Sequence, residues 1–119
     1  MSINFYDARG EAYAYTDDNE TIFTFGGQPI GFIDNDSIYS FSGKHIAFFE
    51  NGNVWDHSGD KLLFTDNSSG GAMNPLKSLM PLKGLKSLKP LKGVKDIKPL
   101  KSIKSLGWSN LQPNDIFGI

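Results

Sequence analysis

The chain has 119 residues, 39% of them apolar and 13% aromatic, with a net charge of −1 and no cysteine. That is room for one small domain and an appendage, and it excludes a disulfide framework, a thiolate metal site and a cysteine nucleophile. No apolar run approaches the length that crosses a bilayer, and a cytoplasmic home is expected because Met1 to Asp7 enters the first repeat without a basic or apolar leader.

Near-neutrality conceals a division. Residues 1–70 carry eleven acids against Arg9, Lys44 and Lys61, a net of −8, whereas residues 71–119 carry nine lysines against Asp96 and Asp115, a net of +7. Halves so opposed attract each other, within one chain or between neighbours.

From Ile3 to Asp66 one pattern is written four times around Gly10, Gly27, Gly43 and Gly59, at spacings of 17, 16 and 16 residues. Four positions before each glycine stands an aromatic (Tyr6, Phe23, Tyr39, Trp55), preceded by an apolar residue (Phe5, Ile22, Ile38, Val54) and followed by a hydrogen-bonding one (Asp7, Thr24, Ser40, Asp56). The third position after the glycine is Tyr13, Ile30, Ile46 or Leu62, the fifth Tyr15, Phe32, Phe48 or Phe64, and the seventh Asp17, Asp34, Glu50 or Asp66.

Each copy predicts a strand, a type I turn closed by a left-handed glycine, and a second strand. Alternation along the second strand predicts that the third and fifth positions share the core face. A lone hairpin is marginal in water, so the four must share a core. The expectation is an all-β, pseudo-four-fold ring over residues 1–66.

The segments Tyr6-Asp7-Ala8-Arg9-Gly10, Tyr39 to Phe48 and Trp55-Asp56-His57-Ser58-Gly59, followed by a lysine-leucine tail, resemble the bacterial four-fold β flower family. The likeness implies four hairpin petals about a pseudo-four-fold axis. It brings no activity, catalytic residue or cofactor.

After a Gly/Ser joint at residues 67–72, residues 73–108 divide into triplets, most of the form Leu-Lys-x with Val or Ile replacing some leucines, the exceptions being Met73-Asn74-Pro75, Leu79-Met80-Pro81 and Leu106-Gly107-Trp108. A period of three fits neither a strand nor an α-helix, and Pro81, Pro90 and Pro99 forbid a continuous helix. The expectation is an extended, polyproline-like ribbon, with short 3₁₀ turns as the alternative. Its leucines need contacts outside the ribbon, so it must wrap the hairpin body, fold back, or run along another subunit, covering apolar surface as it goes. Residues 109–119 end in Ile116, Phe117 and Ile119, which suit a clasp.

Candidate sites are few. The aromatic column Tyr6, Phe23, Tyr39 and Trp55 offers flat faces for a sugar or small ligand, although packing accounts for its repetition equally. The acidic column Asp17, Asp34, Glu50 and Asp66 forms a rim for a cation or the lysine tail, with solvated loop acids as the favoured alternative. His45 and His57 lack a recognised metal spacing, and Asp7 and Asp56 are accounted for as turn openers. No metal, cofactor or catalytic residue is expected. Nucleic-acid or anionic-polymer binding by the lysines is disfavoured by the acidic body beside them. The expected role is a non-enzymatic structural or protein-interaction module, in a homo-oligomer or with a protein partner, with glycan or small-ligand binding on the aromatic column, or anionic-polymer binding by the lysine tail, as the alternatives.

Overall fold

A computed structural model describes residues 2–119. Eight antiparallel strands run in chain order around a closed barrel: β1 (Ile3–Tyr6), β2 (Ala12–Thr16), β3 (Thr21–Thr24), β4 (Pro29–Asp34), β5 (Ser37–Tyr39), β6 (His45–Glu50), β7 (Asn53–Trp55) and β8 (Lys61–Phe64). The pairing of Tyr6 with Phe64 closes the ring.

The hairpin turns follow the sequence chemistry. Gly10, Gly27, Gly43 and Gly59 all take φ between 81° and 99°, and each donates its N–H to the residue that opens the turn, at 2.9–3.1 Å. Asp7 Oδ1 accepts from the Arg9 and Glu11 amides, and Asp56 Oδ1 from those of Ser58 and Asp60. These carboxylates hold turns, as Asx residues do. The turns between petals are left-handed at Asn19, Asn35 and Asn51, with φ of 54–60°.

The expected face is corrected by a bulge present in every petal. The pairing skips one residue: Ile22 faces Gly31 while Phe23 faces Pro29, and the same shift recurs between Phe5 and Tyr6, Ile38 and Tyr39, and Val54 and Trp55. The unpaired residue is the third-position one, Tyr13, Ile30, Ile46 or Leu62. A bulge places two consecutive side chains against one partner and resets the alternation. The third and fourth positions therefore share the interior, where Ile30, Ile46 and Leu62 pack with Ala14, Ala47 and Leu63 and with Phe5, Ile22, Ile38 and Val54.

The fifth-position rings are sent to the outer wall instead. There three of the four meet the aromatic of the next petal: Tyr15 with Phe23 at 5.9 Å, Phe32 with Tyr39 at 5.5 Å and, across the closure, Phe64 with Tyr6 at 5.5 Å.

A short helix, α1 (Pro113–Phe117), stops the open end of the barrel. Proline starts it and Gly118 ends it in the left-handed conformation. Phe117 is buried in the interior cluster and Ile116 half-buried against it. The Phe117 ring lies beside Gly31, where a Cβ would crowd the Tyr39 carbonyl, and the Tyr13 hydroxyl donates to Asn114 Oδ1 at 2.8 Å. Ile119 stays exposed.

Between β8 and α1, residues 73–105 form neither helix nor sheet and circle the barrel. About 36 residues at about 3.1 Å each would make a ring on the order of 35 Å across, and the molecule measures 37 × 36 × 24 Å. The ribbon is a belt around the widest section. Its ends meet, since Trp108 Nε1 donates to the Met73 carbonyl at 3.2 Å.

Candidate interaction surface

The belt is held in register with the petals. The amides of Ser78, Ser87, Asp96 and Ser105 donate to the carbonyls of Gly10, Gly27, Gly43 and Gly59 at 2.8–2.9 Å. Nine residues of belt thus match one petal. Gly84 and Gly93, also nine apart, donate to the Phe25 and Phe41 carbonyls at 2.7 Å. Ser102 reaches the His57 carbonyl with its hydroxyl at 2.7 Å. Close approach demands the glycines on both sides: a Cβ on Gly27 would overlap the Leu85 carbonyl, and one on Gly93 would overlap that of Ser42.

The lysines point inward. The first lysine of each nine-residue unit, Lys77, Lys86, Lys95 or Lys104, pairs with Asp66, Asp17, Asp34 or Glu50 in turn. The same four ammonium groups lie 5.0–5.8 Å over the ring centres of Tyr6, Phe23, Tyr39 and Trp55. The third lysine of each unit, Lys83, Lys92 or Lys101, covers the Tyr15, Phe32 or Phe48 ring. Middle lysines Lys89 and Lys98 reach Asp18 and Asp36, while Met80 stands in that place in the first unit. Every belt lysine has a carboxylate partner on the body. Hydrogen bonding from Lys86 holds the Asp17 carboxyl down to about 2, and Lys101, followed by Lys98, does the same for Asp36. In return Asp17 pushes Lys86 up and Asp36 pushes Lys101 up.

The leucines point outward, which overturns the expectation that they cover the body. Leu76, Leu79, Leu82 and their successors through Ile103 are 94–96% exposed, and Leu106 84%. Contacts with the wall are made by lysine stems and ammonium groups, which suit a surface of ring faces rimmed by acids. What results is a continuous aliphatic girdle, far beyond the few hundred Å² that a soluble monomer commonly leaves contiguous.

A family model settles the relationship, with petals and belt both inside its match. The chain belongs to the 4-fold beta flower protein family. The family model matches residues 3–117, so the match takes in the belt and α1 as well as the petals. Searches of curated proteins and of solved structures return no match.

Within the flower, the sequence candidates fall into place. Tyr6, Phe23, Tyr39 and Trp55 are 2–6% exposed, so the faces offered for a ligand carry lysines. Asp17, Asp34, Glu50 and Asp66 each pair with a tail lysine while keeping part of the carboxylate in solvent. His45 and His57 are brought together, with Nδ1 and Nε2 2.9 Å apart and His45 Nε2 3.0 Å from the Ser37 hydroxyl. Burial, then the neighbouring His57, pushes His45 below its ordinary value. Among the described residues no cluster of three or more His, Cys, Asp or Glu is placed to hold a metal ion, and no helix is long and apolar enough to cross a membrane.

One functional residue escaped the sequence altogether. Lys61 is 1% exposed on the inner side of the belt closure. Its Nζ donates to the Ala72 carbonyl at 2.7 Å and to Asn74 Oδ1 at 2.9 Å, and it lies 5.5 Å over the Trp108 ring. Its backbone accepts from Ser109 at 2.8 Å and donates to Gly107 at 3.2 Å. Lys61 therefore grips both ends of the belt. Lys61 occupies the petal position, second after the glycine, that His45 fills one petal earlier.

Proposed function

We propose that the flower is a non-enzymatic structural and protein-interaction module: its tail locks its own barrel and, in doing so, displays an aliphatic row to other macromolecules. The observation that carries this reading is the two-sidedness of the belt. Nine lysines face the body while eleven aliphatic side chains from Leu76 to Leu106 face away from it. If the belt served only to seal the wall, the solvent side would favour polar residues. Leucine in that place every third residue lowers solubility and contributes nothing to the fold, so its value lies in what it meets.

The reading is tested with a chain carrying Leu79→Ser, Leu88→Ser, Ile97→Ser and Leu106→Ser. Its circular dichroism and thermal midpoint are expected to match those of the parent, because these side chains stand out in solvent. Its retention on a phenyl matrix is expected to fall to that of an ordinary soluble domain. Retention equal to the parent's would overturn the reading.

A further inference from the structure

We propose that the girdle is covered by further copies of this chain, packed edge against edge. The proposal rests on the interaction-module reading above and names the occupant.

Spacing argues first. On an extended chain with three residues per turn, successive outward side chains stand roughly 9 Å apart. Carbon atoms pack at about 3.5–4 Å, so that gap accepts one aliphatic side chain from an opposed row. Three belt units each place three such residues on one side of the disc, for example Leu85, Leu88 and Leu91, and the last places two, Ile103 and Leu106. An edge of one copy is therefore the complement of an edge of another.

Charge argues in the same direction. The lysines beneath the row are all paired with acids of their own chain. Identical edges thus meet without facing unpaired like charges. Nor does the edge offer free ammonium groups to an acidic lipid surface or a nucleic acid, both of which attract basic proteins through unpaired lysines.

Area fixes the kind of assembly. Burying a leucine side chain removes roughly 100 Å² of apolar surface, so three from each copy bury on the order of 600 Å² per edge pair. That is well below the roughly 1,200–2,000 Å² of a stable dimer interface. One edge pair is weak, but a disc with four sides can be held by several at once, and linked weak contacts reinforce one another. The expected product is an assembly that grows with concentration rather than a closed dimer.

Sedimentation velocity on the full chain over a wide concentration range tests this. The weight-average mass is expected to climb from 13.1 kDa past that of a dimer as concentration rises. The Leu79→Ser, Leu88→Ser, Ile97→Ser, Leu106→Ser chain is expected to stay at the monomer mass, and Leu88→Ser alone to give intermediate growth. A parent chain that remains monomeric throughout would overturn the proposal, as would a quadruple variant that assembles like the parent. Monomer in solution together with co-sedimentation on neutral phosphatidylcholine vesicles would assign the girdle to lipid and also overturn it. A monomeric parent still retained on a phenyl matrix would leave the interaction-module reading standing while this proposal falls.

Discussion

The amide of Ser87 donates to the carbonyl of Gly27 at 2.9 Å, and the same bond recurs nine residues further along the belt and one petal further around the barrel. Two repeats of unequal length, nine and sixteen residues, are geared together by one contact. The glycine that bends the hairpin also exposes the carbonyl that the belt uses.

Gly27 is therefore constrained twice, by φ of +99° and by the Leu85 carbonyl lying where a Cβ would be. Gly27→Ala should strain the turn and push the belt away, removing the Ser87 hydrogen bond, for a combined cost of about 2 kcal/mol. Gly107→Ala is the control, since the space around Gly107 is open and its φ is not left-handed. Urea unfolding of the two variants should show a lowered midpoint only for Gly27→Ala.

Acid should release the belt. Asp17 and Asp36 titrate near 2 in the folded chain because lysines donate to them, against an ordinary value of about 3.9. A carboxylate depressed in this way stabilises the fold at every pH above its unfolded value, and that contribution fades as pH falls through the folded one. Stability should drop between about pH 4 and pH 2. Tryptophan fluorescence is the measurement, as Trp108 sits at the closure 6.0 Å from Phe64. A flat response across that window would show that the acid rim does not hold the belt.

His45 adds a second pH dependence, since burial and then the neighbouring His57 hold it below its ordinary value. A base whose folded value is depressed is held neutral by folding, so stability is intact above the unfolded value of about 6.5 and declines as pH falls below it. His45→Gln should flatten the stability profile below about pH 6.5. Chemical denaturation at several pH values checks this.

Lys61 is fastened by neutral oxygens, its Nζ being bonded to the Ala72 carbonyl and Asn74. Lys61→Met keeps the stem and leaves the buried Ala72 carbonyl unpaired, which should cost about 1–3 kcal/mol. Because the loss is at the closure, limited proteolysis should cut first near residues 70–74. Cutting elsewhere would show that the belt is fastened at another point.

The petals were legible in the sequence because a left-handed turn singles out glycine, and a column of glycines with fixed companions marks one hairpin repeated. The bulge was not, since period-two reasoning assumes an unbroken ladder. Its trace was the adjacent apolar pair at the third and fourth positions, plainest in Leu62-Leu63. The triplets of the tail were visible, but the nine-residue unit was not, although Pro81, Pro90 and Pro99 with Gly84 and Gly93 mark it. The orientation of the belt could not be read from hydropathy. It depends on the outer wall being made of ring faces bordered by acids, which attracts lysine ammonium groups more specifically than it attracts leucine. The pairing of Lys86 with both Asp17 and Phe23 joins two columns that the sequence keeps apart.

Residue-resolved amide hydrogen exchange on the full chain probes the gearing of belt to petals most directly. Protection is expected at Ser78, Ser87, Asp96 and Ser105, one amide in nine, with Gly84 and Gly93 between them and the leucine amides exchanging freely. Uniformly fast exchange from residue 73 to residue 106, or protection without the nine-residue interval, would show that the belt is not bound to the petals in this way.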